Sequence, residues 1–212
     1  MKRLENEQLI KILIIIWYLV GIAGFMNRSL HPVFQWLTPF GMVAAAALLL
    51  YFHEPKNLKN WLIFSGIILF GFLVELVGVN TQILFGSYKY GSSLGPLIFN
   101  TPLVIGLNWL VLVYCITALA GSVRNTWYFP LIGAFAMVIF DWVMEPVAIA
   151  TDMWTWDSVT IPDKNYIDWF LISGFLFLMM RILKVEIKNR IAGIILLMQF
   201  VFFLALNLLM RI

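Results

Sequence analysis

Seven stretches of apolar residues, separated by short polar segments, follow one another along the chain. They cover residues 9–26, 33–52, 61–79, 97–120, 128–150, 167–183 and 191–210. Each is close to the ~20 residues with which an α-helix crosses ~30 Å of hydrocarbon. The pattern predicts an all-α polytopic membrane helix bundle of about seven transmembrane helices, built as one integral membrane domain over residues 1–212.

The composition also indicates a chain that faces lipid. Hydrophobic residues make up 62% of it and charged residues only 12%, about half the roughly one quarter that is usual in soluble domains. The single cysteine, Cys115, lies in an apolar run, and His31 and His53 fall in loops at opposite faces of the predicted bundle. We therefore predict no disulfide framework, no metal site, no cofactor and no nucleic-acid partner.

Lysine and arginine residues are divided unevenly between the two predicted faces of the membrane. Four lie on the face away from the N-terminus: Arg28, Lys89, Lys164 and Arg211. The other ten lie on the N-terminal face: Lys2, Arg3, Lys11, Lys56, Lys59, Arg124, Arg181, Lys184, Lys188 and Arg190. Because positive charge is enriched on the cytoplasmic side, the N-terminus is predicted to be cytoplasmic.

The two longest connecting segments, 80–96 and 151–166, both fall on the far face. The first contains FGSYKYGSSLGP and the second contains DMWTWDSVTIPDKNY. Solvated connections are usually polar and do not collect tryptophan and tyrosine. We therefore predict that both segments fold back over the bundle.

Three acidic residues lie inside predicted spans: Glu75, Asp141 and Glu145. An ionised carboxylate near the bilayer centre costs roughly 2.5–3.5 kcal/mol, so such residues normally face the bundle interior. Gly71 and Gly78 share a helix face with Glu75, and small residues let another helix approach that face closely. Asp141 and Glu145 are four residues apart and also share a face.

Each acid taken alone is compatible with a structural hydrogen bond between helices or with a position at the membrane interface. Glu145 precedes Pro146, so it is the one that we most expect to be only a helix-end residue. Taken together, in the far halves of their helices and beneath two aromatic segments, the three acids indicate a site. Asn108 and Trp109 in the fourth span would add a polar group and an aromatic wall.

A set of buried carboxyl groups can combine two roles. A protonated one can donate a proton to a weak base, and an ionised one can accept a proton from water. Aromatic faces stabilise cations. These elements predict proton-initiated chemistry on an apolar substrate, such as protonation of an isoprenoid double bond to a tertiary carbocation. The residues alone leave open whether water or a neighbouring alkene captures that cation.

Two blocks of the sequence resemble a known family. They are ELVGVNTQILFGSYKYGSSLGPLIFNTPLVIGLNW and DWVMEPVAIATDMWTWDSVTIPDKNYIDWF. Together they resemble the signature of the carotenoid biosynthesis membrane-protein family, which includes bacterial carotenoid 1,2-hydratases and archaeal bisanhydrobacterioruberin hydratases. The resemblance extends over residues 75–170, about half of the chain.

The resemblance implies a lyase of the hydro-lyase class, a cofactor-independent carotenoid hydratase that adds water to the terminal double bond of an acyclic end group. The substrate would be lycopene, γ-carotene or a related polyene from the bilayer, and EPVAIATDMWTW is most similar to bacterial members, which suggests the inner membrane. Association with other enzymes of carotenoid biosynthesis is a further expectation.

The predicted catalytic residues are Glu75, Asp141 and Glu145, and either Glu75 or Asp141 would be the proton donor. The predicted substrate-binding residues are Tyr88, Tyr90, Asn108, Trp109, Trp154, Trp156, Asn165 and Tyr166. The other matching positions are Gly78, Phe85, Gly86, Pro102 and Pro162.

Three other functions compete with hydration. A carotenoid cyclase or isomerase would use the same initial protonation but exclude water. A small seven-helix transporter or receptor-like protein would use the acids as a proton or ion relay. A structural subunit of a pigment-synthesis complex would need no chemistry. A retinal pigment is disfavoured because the last span, 191–210, contains no lysine.

Overall fold

The computed structural model describes residues 2–211, with side chains described for residues 7–211. Within that part of the chain, seven α-helices are joined by loops, one short 3-10 helix at Gly121–Asn125 and four short strands. The helices are α1 Lys2–Met26, α2 His31–Tyr51, α3 Leu58–Thr81, α4 Ile105–Leu119, α5 Phe129–Ala150, α6 Asp163–Ile182 and α7 Ala192–Met210. The strands are β1 Tyr88–Tyr90, β2 Leu97–Ile98, β3 Thr101–Pro102 and β4 Trp154–Trp156.

Six of these helices are long and apolar enough to cross a membrane; α4 is the exception. The helices that qualify carry large apolar side chains on their outer faces, with Leu13 of α1, Trp36 of α2 and Trp142 of α5 each more than half exposed. An apolar outer surface is stable in lipid and not in water. The predicted all-α polytopic membrane bundle is therefore confirmed.

The fourth predicted span was wrong in its extent, because 97–120 is not one helix. Residues 97–102 form the hairpin of β2 and β3, and the helix begins at Ile105. Pro96 and Pro102 cannot donate backbone hydrogen bonds to a helix, and Phe99 and Asn100 both have positive φ angles. At 15 residues, α4 is about 22 Å long, which is short of the hydrocarbon thickness.

The short helix α4 lies at the centre of the bundle. It packs against α2, α3, α5, α6 and α7. Trp109, Leu112, Val113, Tyr114 and Cys115 along it are fully buried. A helix that is apolar on all sides is stable when it is enclosed by others, and non-helical backbone at membrane depth is tolerated where protein surrounds it.

Contacts between distant segments divide the loops between the two ends of the bundle. At one end, Glu7 forms an ion pair with Arg190 at 3.1 Å, and Glu54 pairs with Lys188 through backbone hydrogen bonds. At the other end, Gln35 Nε2 donates a hydrogen bond to the carbonyl oxygen of Thr151 at 2.9 Å. The side chains of Lys2 and Arg3, which entered the charge count, lie outside the described residues. A cytoplasmic N-terminus stays a prediction.

The two aromatic segments fold back over the bundle, as expected, and pair with each other. Strands β1 and β4 are antiparallel, with Tyr88 opposite Trp156 and Tyr90 opposite Trp154. Because side chains alternate between the faces of a strand, the four aromatic residues point toward the helices while Lys89 points away. No strand was expected in this part of the sequence. The pairing covers the ends of α3 and α5, where the acids lie.

Candidate active site

Glu75 lies in α3, six residues before the end of that helix, and is 5% exposed. Its Oε2 accepts hydrogen bonds from the hydroxyl groups of Tyr90 at 2.6 Å and Tyr88 at 2.8 Å. Its Oε1 accepts one from Nε1 of Trp109 at 3.0 Å. Strand β1 and helix α4 therefore supply three donors that fix this carboxyl group in one orientation.

Glycines on the same face of α3 make this approach possible. A Cβ atom at Gly71 would lie 2.7 Å from Cβ of Trp109, and one at Gly78 would lie 2.7 Å from the ring of Phe85 and 2.9 Å from the hydroxyl of Tyr88. Carbon atoms do not approach so closely without displacement. The face predicted to accept a close neighbour does so, and it brings the indole of Trp109 and the phenol of Tyr88 within reach of the acid.

Asp141 and Glu145 lie one helical turn apart on α5, and both are buried. Asn165 at the start of α6 connects them, because its Nδ2 donates to Oδ2 of Asp141 at 2.7 Å and to Oε1 of Glu145 at 3.3 Å. The other oxygen of Asp141, Oδ1, is buried and has no hydrogen-bond partner among the described residues.

Glu145 is not a helix-end residue in contact with water, so that expectation was wrong. It is 1% exposed, and its Oε2 accepts hydrogen bonds from Nε1 of Trp154 at 3.0 Å and Nε1 of Trp156 at 2.9 Å. The indoles of β4 cover the helix end that Pro146 would otherwise leave open. The side chain consequently belongs to the same buried group as Asp141.

The three acids surround one small cavity of about 20 Å³, which is enough for roughly one water molecule. Six of the eight predicted substrate-binding residues also line it: Tyr88, Tyr90, Asn108, Trp154, Trp156 and Asn165. Trp109 is not in the lining but contacts Glu75 through its hydrogen bond. Tyr166 is half-buried and does not line the cavity.

Four further residues line the cavity without having been selected as site residues: Phe85, Ile105, Met144 and Trp169. Trp169 stacks on Trp109 with ring centroids 4.5 Å apart. The tryptophan of the segment NYIDWF was the sequence signal that could have indicated it. No sequence signal could have indicated Ile105 and Met144, because apolar residues are common throughout apolar helices.

Asp168 holds the first aromatic segment in place over this site. Its Oδ2 accepts a hydrogen bond from the backbone N–H of Phe85 at 2.6 Å and from Nζ of Lys164 at 2.7 Å. Phe85 has a positive φ angle of 65°, a conformation that β-carbon-bearing residues adopt only where other contacts enforce it. Asp168 thus fixes the turn that leads into β1.

The electrostatic setting of the cavity is unusual, because among residues 7–211 none of the three acids forms an ion pair. Neutral O–H and N–H donors surround them instead. Three like charges around one small cavity repel each other strongly. Five of the six carboxyl oxygens already accept hydrogen bonds, so a cation would have to displace these donors before the acids could bind it.

The tyrosines of β1 remain hydrogen-bond donors over the whole physiological range. Burial, followed by the nearby Glu75 carboxyl group, raises the pKa of both Tyr88 and Tyr90 well above the ordinary value of 10.0. Both phenol groups therefore keep their protons and can donate them in hydrogen bonds to Glu75. Such O–H groups would stabilise negative charge on Glu75 by donating to its Oε2.

Comparison with known proteins agrees with the resemblance in the sequence. The family model described as "Carotenoid biosynthesis protein" matches residues 36–212. Over 120 residues the chain is 32% identical to the bisanhydrobacterioruberin hydratase of Haloarcula japonica, an alignment that covers 50% of this chain and 39% of that protein. The chain thus spans well under two thirds of the length of this curated relative. No solved structure matches the chain.

The family match extends beyond the site. It begins in α2 and continues through α7, so it includes the helices that carry all three acids and both aromatic segments. The match covers far more than half of the 212 residues. The expected family is therefore confirmed, and this chain is a membrane protein that belongs to the carotenoid biosynthesis protein family.

Proposed function

We propose that this protein is a carotenoid hydratase, which adds water to the terminal double bond of an acyclic carotenoid end group. The observation that carries the proposal is the set of three buried carboxyl groups around a cavity the size of one water molecule. Membership of the carotenoid family and the hydratase relative support the substrate class and the reaction. Lycopene, γ-carotene or a related polyene from the bilayer would be the substrate.

Asp141 is the proton donor in this proposal. Glu75 and Glu145 each accept three hydrogen bonds, whereas Asp141 accepts one and has an oxygen without a partner. Donors favour the ionised form of a carboxyl group and a lack of donors favours the protonated form. Of the three acids, Asp141 is thus the one that is best suited to hold a proton on its free oxygen and deliver it to an alkene.

Glu75 is the acceptor of the proton that water loses. The three shortest hydrogen bonds to the acids include both tyrosine hydroxyls on Glu75, at 2.6 and 2.8 Å; the third is that of Asn165 to Asp141. The two hydroxyl donors would stabilise Glu75 as a carboxylate. In the reaction, the alkene carbon takes the proton of Asp141, and the neighbouring tertiary carbon becomes cationic. Water adds its oxygen to that carbon and gives one proton to Glu75, which returns it to Asp141 through the cavity. The overall change is one alkene plus one water to one tertiary alcohol.

The aromatic walls would stabilise the cation. Tyr88, Trp156 and Trp169 line the cavity. The ring centroids of Tyr88 and Trp156 are 5.2 Å apart, and Trp169 is held by stacking on Trp109. Indole and phenol faces attract a cation by about 0.5–2 kcal/mol each when water is excluded. This support is strongest for the transition state, in which charge develops, and weak for the neutral substrate.

A cyclase would share the donor and the aromatic walls, so the fate of the cation separates the two. Product mass decides it, because hydration adds the mass of water and cyclisation adds none. The test is expression in a lycopene-accumulating bacterial host and mass analysis of the pigments, repeated in a γ-carotene host. Products that are heavier by the mass of one or two waters would support hydration if Asp141→Asn abolishes them and Asp163→Asn does not. Pigments of unchanged mass in cells that contain folded protein would contradict it. Asp163 is an exposed acid at the same end of the bundle and is a matched control.

A further inference from the structure

A second and larger cavity lies beside the acidic one. It has a volume of about 240 Å³ and is lined mainly by α1, α2, α4 and α7, with Met144 of α5 and residues of the two aromatic segments completing the wall. Its walls are almost entirely apolar. Four residues line both cavities: Ile105, Asn108, Met144 and Trp154. A molecule in the larger cavity would therefore have only these side chains between it and the three acids.

We propose that this cavity is the binding site for the apolar end of a polyene chain, which enters sideways from the bilayer between α1 and α2. The assignment of the polyene end as the reacting group rests on the proposed function. The cavity would hold the end group with its terminal double bond toward Asn108 and the acids. It would also determine which chain ends are accepted, since the end group must fit within its walls.

The outer wall of the cavity lies at the middle of the membrane. Trp17 and Val20 of α1 line it while about half of each side chain faces outward. Gly41 of α2 lies across from Trp17, because a Cβ atom added at Gly41 would lie 3.8 Å from that indole. Trp17 is nine residues from the far end of α1 and Gly41 is ten residues from the start of α2. At 1.5 Å per residue both are roughly 15 Å below the membrane face, where lipid tails and dissolved polyenes lie.

The size of the cavity fits one end of a long chain. Sites that enclose a whole drug-sized ligand measure about 300–1,000 Å³, so about 240 Å³ cannot enclose a complete carotenoid. Most of the polyene would stay in the bilayer while the end group occupies the protein. Gly41 and Ala45, one turn apart on α2, leave this space open because neither has a side chain that could fill it.

Asn108 has the position of a boundary residue. It is 5% exposed, faces both cavities, and its carboxamide makes no hydrogen bond to any described residue. A buried amide without a partner costs roughly 1–3 kcal/mol, which a bound water would offset. A water held by Asn108 would lie at the border of the two cavities, beside both the end group and the acids. A phospholipid tail in the cavity would make no use of this connection, which favours the polyene as the occupant.

The test fills the cavity from α2. Ala45→Phe places a ring inside it, Ala45→Leu is a milder version, and Ala44→Phe puts the same ring on the exposed face of the same helix. Each is made in the active protein and in an Asp141→Asn background, where binding is separated from turnover. Cells that accumulate an acyclic carotenoid supply the ligand. Pigment retained per purified protein and product formed per cell are then measured.

We expect Ala45→Phe to lower both retained pigment and product by about tenfold or more, Ala45→Leu to lower them less, and Ala44→Phe to leave both nearly unchanged. Wild-type levels of both in the two Ala45 variants would overturn the proposal, as would phospholipid rather than pigment in the purified protein. If pigment is retained and lost on Ala45→Phe while no heavier product forms in the wild type, the cavity assignment stands and hydration is wrong.

Discussion

Nδ2 of Asn165 lies 2.7 Å from Oδ2 of Asp141, while Oδ1 of the same carboxyl group has no partner among the described residues. This asymmetry fixes the orientation of Asp141 and, in the proposed mechanism, gives its two oxygens different roles. One oxygen is held in place by the amide. In the proposed mechanism, the other oxygen carries the proton that Asp141 gives to the alkene and later regains from Glu75.

Replacing Asn165 by leucine should therefore impair catalysis without unfolding the protein. The change removes the hydrogen bonds to Asp141 and Glu145 but keeps a similar volume. Misplacing a catalytic group lowers turnover by about tenfold to a hundredfold, and we expect kcat to fall accordingly with KM nearly unchanged. Steady-state conversion of carotenoid in isolated membranes measures both constants. Wild-type kcat in a well-folded Asn165→Leu protein would show that this amide positions nothing that matters.

The two tyrosines that bind Glu75 should act together. Tyr88→Phe and Tyr90→Phe each remove one hydrogen bond to Oε2, and a bond to a charged group contributes roughly 1.5–3 kcal/mol. Each single variant should lose about tenfold or more in kcat/KM, and the double variant should deviate from the product of the two losses because both bonds reach one oxygen atom. Tyr166→Phe is the control, since Tyr166 does not line the cavity; equal losses in all three would count against a special role for Glu75.

The glycine face of α3 predicts a stability difference between two similar substitutions. A Cβ at Gly71 would lie 2.7 Å from Trp109, whereas one at Gly66 would meet nothing within 4 Å. Gly71→Ala should destabilise the protein by about 1–3 kcal/mol through overpacking. Gly66→Ala should be neutral or slightly stabilising, because alanine is the better helix former. Denaturant unfolding in detergent measures both. A stability for Gly71→Ala equal to that of Gly66→Ala would contradict the close helix contact.

His53 should make stability depend on pH at the end of the bundle opposite the acids. Its Nε2 faces Nδ2 of Asn60 at 3.0 Å and therefore accepts, so Nδ1 donates to the hydroxyl of Tyr114 at 2.9 Å. Burial, the main cause, lowers the pKa of His53 below 6.5. The neutral ring stabilises the fold above pH 6.5, and that contribution is lost as pH falls through the lowered pKa.

The measurement for His53 is the thermal unfolding temperature in detergent between about pH 7.5 and about pH 5. The wild type should lose more stability on acidification than His53→Gln, whose amide can both donate and accept. His31→Gln, at the other end of α2, should behave like the wild type. Equal pH dependence in the wild type and His53→Gln would exclude His53 as the titrating group.

Local sequence patterns predicted most of the helices but not the structures that depend on distant segments. Hydrophobic stretches of about 20 residues are a local signal, and six helices followed them. The fourth failed because Pro102 and the hairpin of residues 97–102 interrupt an apolar run whose composition alone indicates a span. Strands β1 and β4 were missed because each is three residues long and stable only through the other. The alternation Tyr-Lys-Tyr and Trp-Thr-Trp was present, yet pairing of distant strands has no local signature.

The candidate site shows the same division. The acids and aromatic residues could be selected because charged groups in membrane spans and tryptophans in loops are both uncommon. Glu145 was judged from its neighbour Pro146, although Trp154 and Trp156 cover it, and no local rule places those indoles there. Asp168 was not selected as a site residue, whereas it anchors the backbone of Phe85. Such roles depend on which segments meet in three dimensions.

The most direct test of hydration by this site follows the oxygen atom. Membranes containing the wild type, Asp141→Asn or Asp163→Asn are supplied with an acyclic carotenoid in water enriched in oxygen-18, and the products are analysed by mass. The account predicts an alcohol that carries the heavy oxygen in the wild type and Asp163→Asn, and a loss of about a hundredfold or more in Asp141→Asn. Unlabelled product, or full activity in Asp141→Asn, would contradict it.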